Sequence, residues 1–211
     1  MQKEPERSIQ LKSFQRRLLH VAGSFFLLYY PLPSFLPYHI HKIWILILIL
    51  LMVASIEFYR FHSKRMNHLD PLLREYEHIR PASYSYFALG SILLLAYFPQ
   101  YIAIPCILTA AVCDPLIGIM KQLKRKNTGY AIAFLFAFIF FYFFWFDSLF
   151  LITIIASFIG ASTAIFAEYS STLWVDDDLL MQLIPAIELY FFVFILERIF
   201  VIVQTVLVYA F

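Results

Sequence analysis

Charged residues are scarce in this chain of 211 residues, since Asp, Glu, Lys and Arg make up only 14% of it. Soluble domains carry about 25% charged residues, whereas this chain is 62% hydrophobic with a mean hydropathy of +0.77. Such a composition cannot cover a globule with polar surface, which excludes an ordinary soluble domain. The 24 Phe and 14 Tyr exclude an intrinsically disordered chain. A polytopic membrane protein remains.

Cysteine is also rare, and its two positions do not suit a disulfide. Cys106 and Cys113 lie seven residues apart in one apolar segment. On a helix that spacing corresponds to about 10 Å, which is too far for a disulfide bond. We therefore predict two small buried side chains, and the redox compartment is left open.

The apolar segments predict an all-α, polytopic membrane helix bundle of about seven transmembrane helices. Each segment is long enough for a helix, and none shows the alternation of barrel strands. No signal-peptide cleavage site follows the first segment, so we expect it to be retained. We predict residues 1–17 as a cytoplasmic N-terminal segment and residues 18–211 as a single transmembrane domain. The expected spans run from Leu18 to near Pro31, over Ile43–Tyr59, Ser83–Phe98 and Tyr101–Met120, twice within 130–167, and over Leu179–Phe211.

Three connections between these spans have distinct compositions. Asp147-Ser148 interrupts the apolar stretch 130–167 and predicts a tight hairpin. A basic loop is expected over Lys121–Gly129, and an acidic loop over Glu168–Asp178.

The Lys and Arg residues predict which side of the membrane each loop occupies. With a cytoplasmic N-terminus, segments 1–17, 60–80, 121–129 and 168–178 lie inside and hold 14 of the 16 Lys and Arg, all except Lys42 and Arg198. An excess of Lys and Arg in short loops marks the cytoplasmic side. We therefore expect a cytoplasmic N-terminus, in a bacterial inner membrane or the endoplasmic reticulum.

The same topology places most of the unusual polar residues at the cytoplasmic ends of the spans. Ionisable side chains inside a membrane are costly and usually functional. Acidic residues on a basic rim suit a divalent cation held by carboxylates, with Lys and Arg around a polyphosphate. The residues concerned are His20, Glu57, Asp114, Glu168 and Asp176-Asp177-Asp178.

Structural explanations stay open for several of these residues. Glu57 could pair with Arg60 three residues later, and the three aspartates could cap the last helix. Asp114-Pro115 is harder to explain in this way, because the carboxylate lies well inside an apolar segment. The other open cases are His20 as an interfacial histidine, Glu168 as a helix-end carboxylate, Lys121–Lys126 as a topology signal, and Glu188 as a partner within the bundle.

Several short motifs share order and spacing with one group of enzymes. They are Arg16-Arg17-Leu18-Leu19-His20-Val21-Ala22-Gly23, Glu57 with Arg60, Cys113-Asp114-Pro115, Glu168, and Val175-Asp176-Asp177-Asp178-Leu179. Together they resemble the CTP-dependent lipid kinases, which include dolichol kinase, phytol kinase and yeast-type diacylglycerol kinase. That group belongs to the phosphatidate cytidylyltransferase-like membrane proteins.

The chain departs from the pattern of that group in its phosphate-binding stretch. Cys113 replaces the usual glycine, Asp178 replaces the usual asparagine, and Met120–Gly129 keeps the basic charge but only one glycine and no glutamate. With fewer glycines, phosphate binding would depend more on side chains than on exposed backbone N–H groups.

The resemblance implies an enzyme that transfers phosphate from CTP to a lipid alcohol, such as a polyprenol, a phytol-like alcohol or diacylglycerol, with Mg²⁺ as cofactor. It implies a membrane lipid and CTP as partners, no nucleic acid, and a chain that could form a homo-oligomer. The catalytic residues would be Asp114, Glu168 and His20, of which Glu168 or His20 would take the hydroxyl proton. Mg²⁺ would be held by Asp114, Asp177 and Asp178, and the nucleotide by Arg17, Lys121, Lys124, Lys126 and Gly129.

Two other functions remain open at this stage. Cytidylyl transfer from CTP to phosphatidate needs the same metal and nucleotide site with an anionic lipid. A non-catalytic relative could bind lipid or a partner, or act as a small transporter. Transport would predict inverted repeats and a midplane site, whereas no repeat is visible and only Glu188 lies near the middle of a span.

Overall fold

The computed structural model describes residues 15, 17–36, 40–62, 77, 79–170 and 176–210. This part of the chain forms seven helices and one short antiparallel strand pair. The strands are β1 (Phe35–Leu36) and β2 (Ile40–His41). The helices are α1 (Arg17–Tyr29), α2 (Ile43–His62), α3 (Ser83–Tyr97), α4 (Gln100–Gln122), α5 (Lys126–Phe144), α6 (Phe150–Tyr169) and α7 (Asp177–Ala210).

Five of these helices are long and apolar enough to cross a membrane, namely α2, α4, α5, α6 and residues Asp177–Val201 of α7. Helices α1 and α3 are apolar but have only 10–17 residues, less than the roughly 20 of a full span. The predicted all-helical architecture is therefore found, while seven spans and a cytoplasmic N-terminus stay predictions. Most of the predicted N-terminal segment 1–17 lies outside the described residues.

Helix α4 lies at the centre of the bundle and packs against α1, α3, α5 and α7. Small side chains allow this close packing, as is common where membrane helices pack together. Both cysteines are free and buried here, so the prediction that they form no disulfide is confirmed. The small buried residues of α4 are Ala103, Cys106, Thr109, Ala110, Ala111 and Cys113.

Helices α5 and α6 form the predicted hairpin, with Asp147 and Ser148 in the connection. Gly160 of α6 lies directly against the ring of Phe141 of α5. A Cβ atom at Gly160 would lie only 2.7 Å from that ring. The absence of a side chain at Gly160 therefore sets the distance between the two helices.

The two loops at the polar end of the bundle are shorter than predicted, because the flanking helices extend a few residues further. The basic stretch forms only a turn between α4 and α5, in which Lys124 has a φ of 59° and Arg125 N–H donates to the Met120 carbonyl at 2.9 Å. Basic residues are good helix formers, and Gly129 lets α5 start against Met120, where a Cβ would lie 2.6 Å from the Met120 Cβ. Glu168 lies in the last turn of α6, which agrees with its interpretation as a helix-end carboxylate, so the connection between α6 and α7 begins after it.

A buried carboxylate cluster as candidate functional site

Three helices bring four acidic side chains together at one end of the bundle. Asp114 comes from α4, Glu168 from α6, and Asp177 and Asp178 from the first turn of α7. We call these four residues the carboxylate cluster. His20 of α1 lies beside it and is 5% exposed, while Glu168 and Asp178 are 2% and 1% exposed. The predicted meeting of these distant residues is therefore seen in the fold.

Two sets of potential ligand atoms share Asp114. One atom each of Asp114, Glu168 and Asp177 lie within 4.8 Å of one another, and the same holds for His20, Asp114 and Asp178. Successive side chains on a helix point about 100° apart, so Asp177 and Asp178 meet Asp114 in different sets, although one atom each of Asp176, Asp177 and Asp178 also lie within 4.8 Å of one another. The set of Asp114, Glu168 and Asp177 differs in one member from the predicted trio of Asp114, Asp177 and Asp178.

His20 is held between two carboxylates. Its Nδ1 lies 3.4 Å from Asp178 Oδ1, and its Nε2 lies 3.7 Å from Asp114 Oδ2. The edge of its ring faces Phe87 of α3, with ring centroids 6.1 Å apart. Gly23, one turn later in α1, allows this approach, because a Cβ there would overlap the Phe87 ring.

Asp114 lies in α4 beside a missing helical hydrogen bond. Pro115 follows it inside α4 and has no N–H, so the helical hydrogen bond to the carbonyl of Ala111 cannot form. The side chain of Asp114 is 10% exposed and contributes an oxygen to both ligand sets.

Three basic side chains lie at this end of the bundle, and one of them contacts the cluster. Lys121 Nζ donates to Glu168 Oε1 at 2.7 Å, and Lys126 lies over the rings of Tyr130 and Tyr169 at 5.7 and 5.1 Å from their centroids. Arg17 of α1 donates to the side chain of Gln122 at the end of α4.

The other two predicted nucleotide-binding residues have different environments. Lys124 is exposed in the turn between α4 and α5. Gly129 is buried, and its N–H donates to the Arg125 carbonyl at 3.0 Å. Its backbone is therefore committed to the helix, which argues against a phosphate-binding role for this glycine.

Several carboxylate oxygens of the cluster lack a hydrogen-bond donor within the described part of the chain. They are Glu168 Oε2 and both oxygens of Asp178, although Asp178 Oδ1 lies at ion-pair distance from His20. Buried polar atoms are normally satisfied. Oxygen atoms from several carboxylates are the ligands that Mg²⁺ and Ca²⁺ prefer, so the donor set fits a hard divalent cation.

A cavity of about 210 Å³ opens beside His20, between α1 and α3. Its wall is mainly apolar, with His20, Glu77, Ser83 and Tyr84 as the residues that carry polar groups. The lining includes Leu19, Ala22, Gly23, Phe26 and Phe87. An apolar chain could therefore lie in this cavity with its polar end near His20.

A second network of charged residues lies next to the cluster, and only its Glu57–Arg60 pair was considered from the sequence. Arg60 donates to Glu57 Oε2 at 2.6 Å, which confirms the pairing considered for Glu57. Arg80 donates to Asp176 Oδ2 at 3.0 Å across 96 residues of sequence. The sequence around Arg80 contains no signal that predicts this contact. However, three consecutive aspartates at a buried helix start do indicate that a distant cation is needed.

Comparison with known proteins does not identify a relative: no family model, no curated protein and no solved structure matches this chain. The resemblance to the CTP-dependent lipid kinases therefore stays a prediction from short motifs.

Proposed function

We propose that this chain is a multi-pass integral-membrane enzyme that transfers the terminal phosphate of CTP to a lipid alcohol at the cytoplasmic face. The observation that carries the proposal is the grouping of Asp114, Glu168 and Asp177 from three helices within 4.8 Å. CTP as the donor, and Mg²⁺ as the cation, come from the motif resemblance. Phosphoryl transfer needs mainly positioning and charge neutralisation, and the cluster with its basic rim offers both.

Asp114, Glu168 and Asp177 would hold Mg²⁺, which when bound would neutralise charge on the triphosphate. Lys121, which lies 2.7 Å from Glu168, would contact a phosphate oxygen beside the cation. Arg17 and Lys126 extend the basic surface, with Lys124 at its edge.

His20 is the better candidate for the base that takes the proton of the lipid hydroxyl. It lines the apolar cavity and contacts Asp178, so a hydroxyl entering from the cavity would meet an imidazole oriented by a carboxylate. Glu168, the other predicted base, already pairs with Lys121 and belongs to the metal-binding trio. The lipid chain would occupy the space between α1 and α3.

The fate of labelled CTP tests the proposal directly. Protein purified in lipid nanodiscs is given Mg²⁺, a long-chain prenol or diacylglycerol, and CTP labelled at either the α- or the γ-phosphate. We expect γ-label, and not α-label, in the lipid fraction. Asp114→Asn should abolish this transfer, whereas Asp147→Asn, an exposed aspartate in the α5–α6 connection, should preserve it.

Two results would contradict the proposal in different ways. Transfer of α-label to phosphatidate would identify a cytidylyltransferase with the same metal site. A non-catalytic membrane protein would be favoured if no label reaches lipid and if CTP with Mg²⁺ does not protect the parent protein against heat.

A further inference from the structure

Asp176 immediately precedes α7 and connects the carboxylate cluster to a basic residue outside it. Its Oδ1 accepts the N–H of Asp178 at 3.2 Å, the contact of a helix N-cap. Its Oδ2 accepts from Arg80 Nη2 at 3.0 Å, and its side chain is fully buried. Asp176 therefore orients the first turn of α7, from which Asp177 and Asp178 project.

The backbone around Arg80 is itself fixed. Arg60 of α2 donates to the Arg80 carbonyl and to the Glu77 carbonyl, each at 2.7 Å. The Glu57 carboxylate holds Arg60 and also accepts from Ser85 Oγ at 2.8 Å. The segment before α3 is thus tied to α2 on one side and to α3 on the other.

The start of α3 is held in the same way. Glu77 Oε1 accepts from the Ser83 hydroxyl at 2.5 Å and from its N–H at 3.2 Å, and Glu77 is 1% exposed. A series of direct contacts therefore runs from Glu57 and Arg60 through the backbone of Arg80 to its guanidinium, then to Asp176 and the first turn of α7.

We propose that Arg80 is a positioning residue for the metal-binding carboxylates: through Asp176 it sets the place of Asp177 and Asp178 relative to Asp114, Glu168 and His20. This role rests on the proposed metal site. A buried aspartate beside other carboxylates needs a compensating cation, and without Arg80 the start of α7 would move to relieve the repulsion. Groups behind metal ligands commonly change metal affinity by about 10–100-fold.

Binding of Mn²⁺ to the full chain in nanodiscs, followed by electron paramagnetic resonance, measures this role without depending on turnover. We expect Arg80→Ala to weaken Mn²⁺ binding about 10–100-fold. Arg80→Lys keeps the charge and can reach a single oxygen, so most of the affinity should return. Arg198→Ala is the matched control, because Arg198 is exposed on α7 and packs over Phe194 at 5.0 Å.

A double-mutant cycle separates action through Asp176 from a general effect of charge. If Arg80 acts through Asp176, the Asp176→Ala variant alone should bind Mn²⁺ more weakly than the parent protein. The double variant should then lose no more Mn²⁺ affinity than whichever single variant binds more weakly. If the fold losses of affinity in the two single variants multiply in the double variant, the proposal is overturned. If Arg80→Ala does not fold, as judged by its thermal unfolding transition, Arg80→Gln replaces it in the cycle.

The failure of this proposal can be distinguished from failure of the proposed function. If the parent protein binds Mn²⁺ and the Arg80→Ala variant binds it with the same affinity, only the role of Arg80 is overturned. No Mn²⁺ binding by the parent would overturn the metal site and, with it, the positioning role.

Discussion

Lys121 Nζ lies 2.7 Å from Glu168 Oε1, and this contact joins the end of α4 to the end of α6 beside the carboxylate cluster. The two partners differ in exposure, since the Glu168 side chain is 1% exposed and that of Lys121 is 42% exposed. Glu168 also lies close to Asp114 and Asp177. The lysine therefore offsets part of the repulsion among three carboxylates while still reaching solvent.

Replacing Lys121 should destabilise the protein when no divalent cation is present. Lys121→Met leaves Glu168 buried without its donor, and an orphaned buried polar group costs about 1–3 kcal/mol. Thermal unfolding in detergent with a chelator measures the loss. Lys124→Met is the matched control, and its exposed side chain should change stability by less than about 0.5 kcal/mol. Equal effects of the two changes would mean that the ion pair contributes nothing.

Replacing His20 should slow transfer without preventing metal binding. His20→Gln removes the proposed base, and general bases contribute about 10²–10⁴-fold to rate. We expect kcat for γ-label transfer to fall in that range while the affinity for Mn²⁺ changes little, because the trio Asp114, Glu168 and Asp177 stays intact. Steady-state kinetics and Mn²⁺ titration measure the two quantities separately.

His62 provides the control for that change. It is exposed on α2, where its Nδ1 lies 2.9 Å from the Phe58 carbonyl. His62→Gln should therefore leave kcat unchanged. A His20→Gln protein with full kcat would exclude His20 as the base and make Glu168 the remaining candidate.

The hairpin of α5 and α6 should be sensitive to a single methyl group at Gly160. Gly160→Ala forces its new Cβ against Phe141, which is fully buried, and overpacking of this kind costs about 1–3 kcal/mol. Gly118→Ala is the matched control, since nothing lies within 4 Å of a Cβ there, and it should gain up to about 1 kcal/mol from helix propensity. Thermal unfolding of both variants measures the difference, and equal shifts would contradict the described packing.

The grouping of the site residues at one end of the bundle could be predicted from the sequence. Charged residues accumulate at one set of helix ends, and prolines and short polar breaks separate the apolar segments. Asp114 stands out because a carboxylate rarely lies so deep in an apolar segment. These are local signals. They predicted α2, α3, α4 and the α5–α6 hairpin to within a few residues.

The partner of each site residue could not be predicted in this way. Whether Asp177 or Asp178 faces Glu168 together with Asp114 depends on how α7 is rotated about its axis, and neighbouring residues differ by about 100°. That rotation is set by packing against α3, α4 and α6. The contact between Arg80 and Asp176 joins residues 96 apart in sequence, and no periodic pattern links such residues.

The orientation of the bundle can be tested with cysteine labelling, because Cys106 and Cys113 are buried. Ser148 and Lys124 are exposed in connections that precede and follow membrane-length helices. With a cytoplasmic N-terminus, a membrane-impermeant maleimide should label Ser148→Cys in intact cells or sealed vesicles of known orientation. Lys124→Cys should react only after permeabilisation.

The reverse labelling pattern would carry a direct consequence for function. The turn with Lys124 follows Lys121, which contacts Glu168, so the carboxylate cluster lies on the same side as that turn. A cluster facing away from the cytoplasm would have no access to cytoplasmic CTP. Labelling of Lys124→Cys from outside would therefore contradict the proposed phosphate donor as well as the predicted topology.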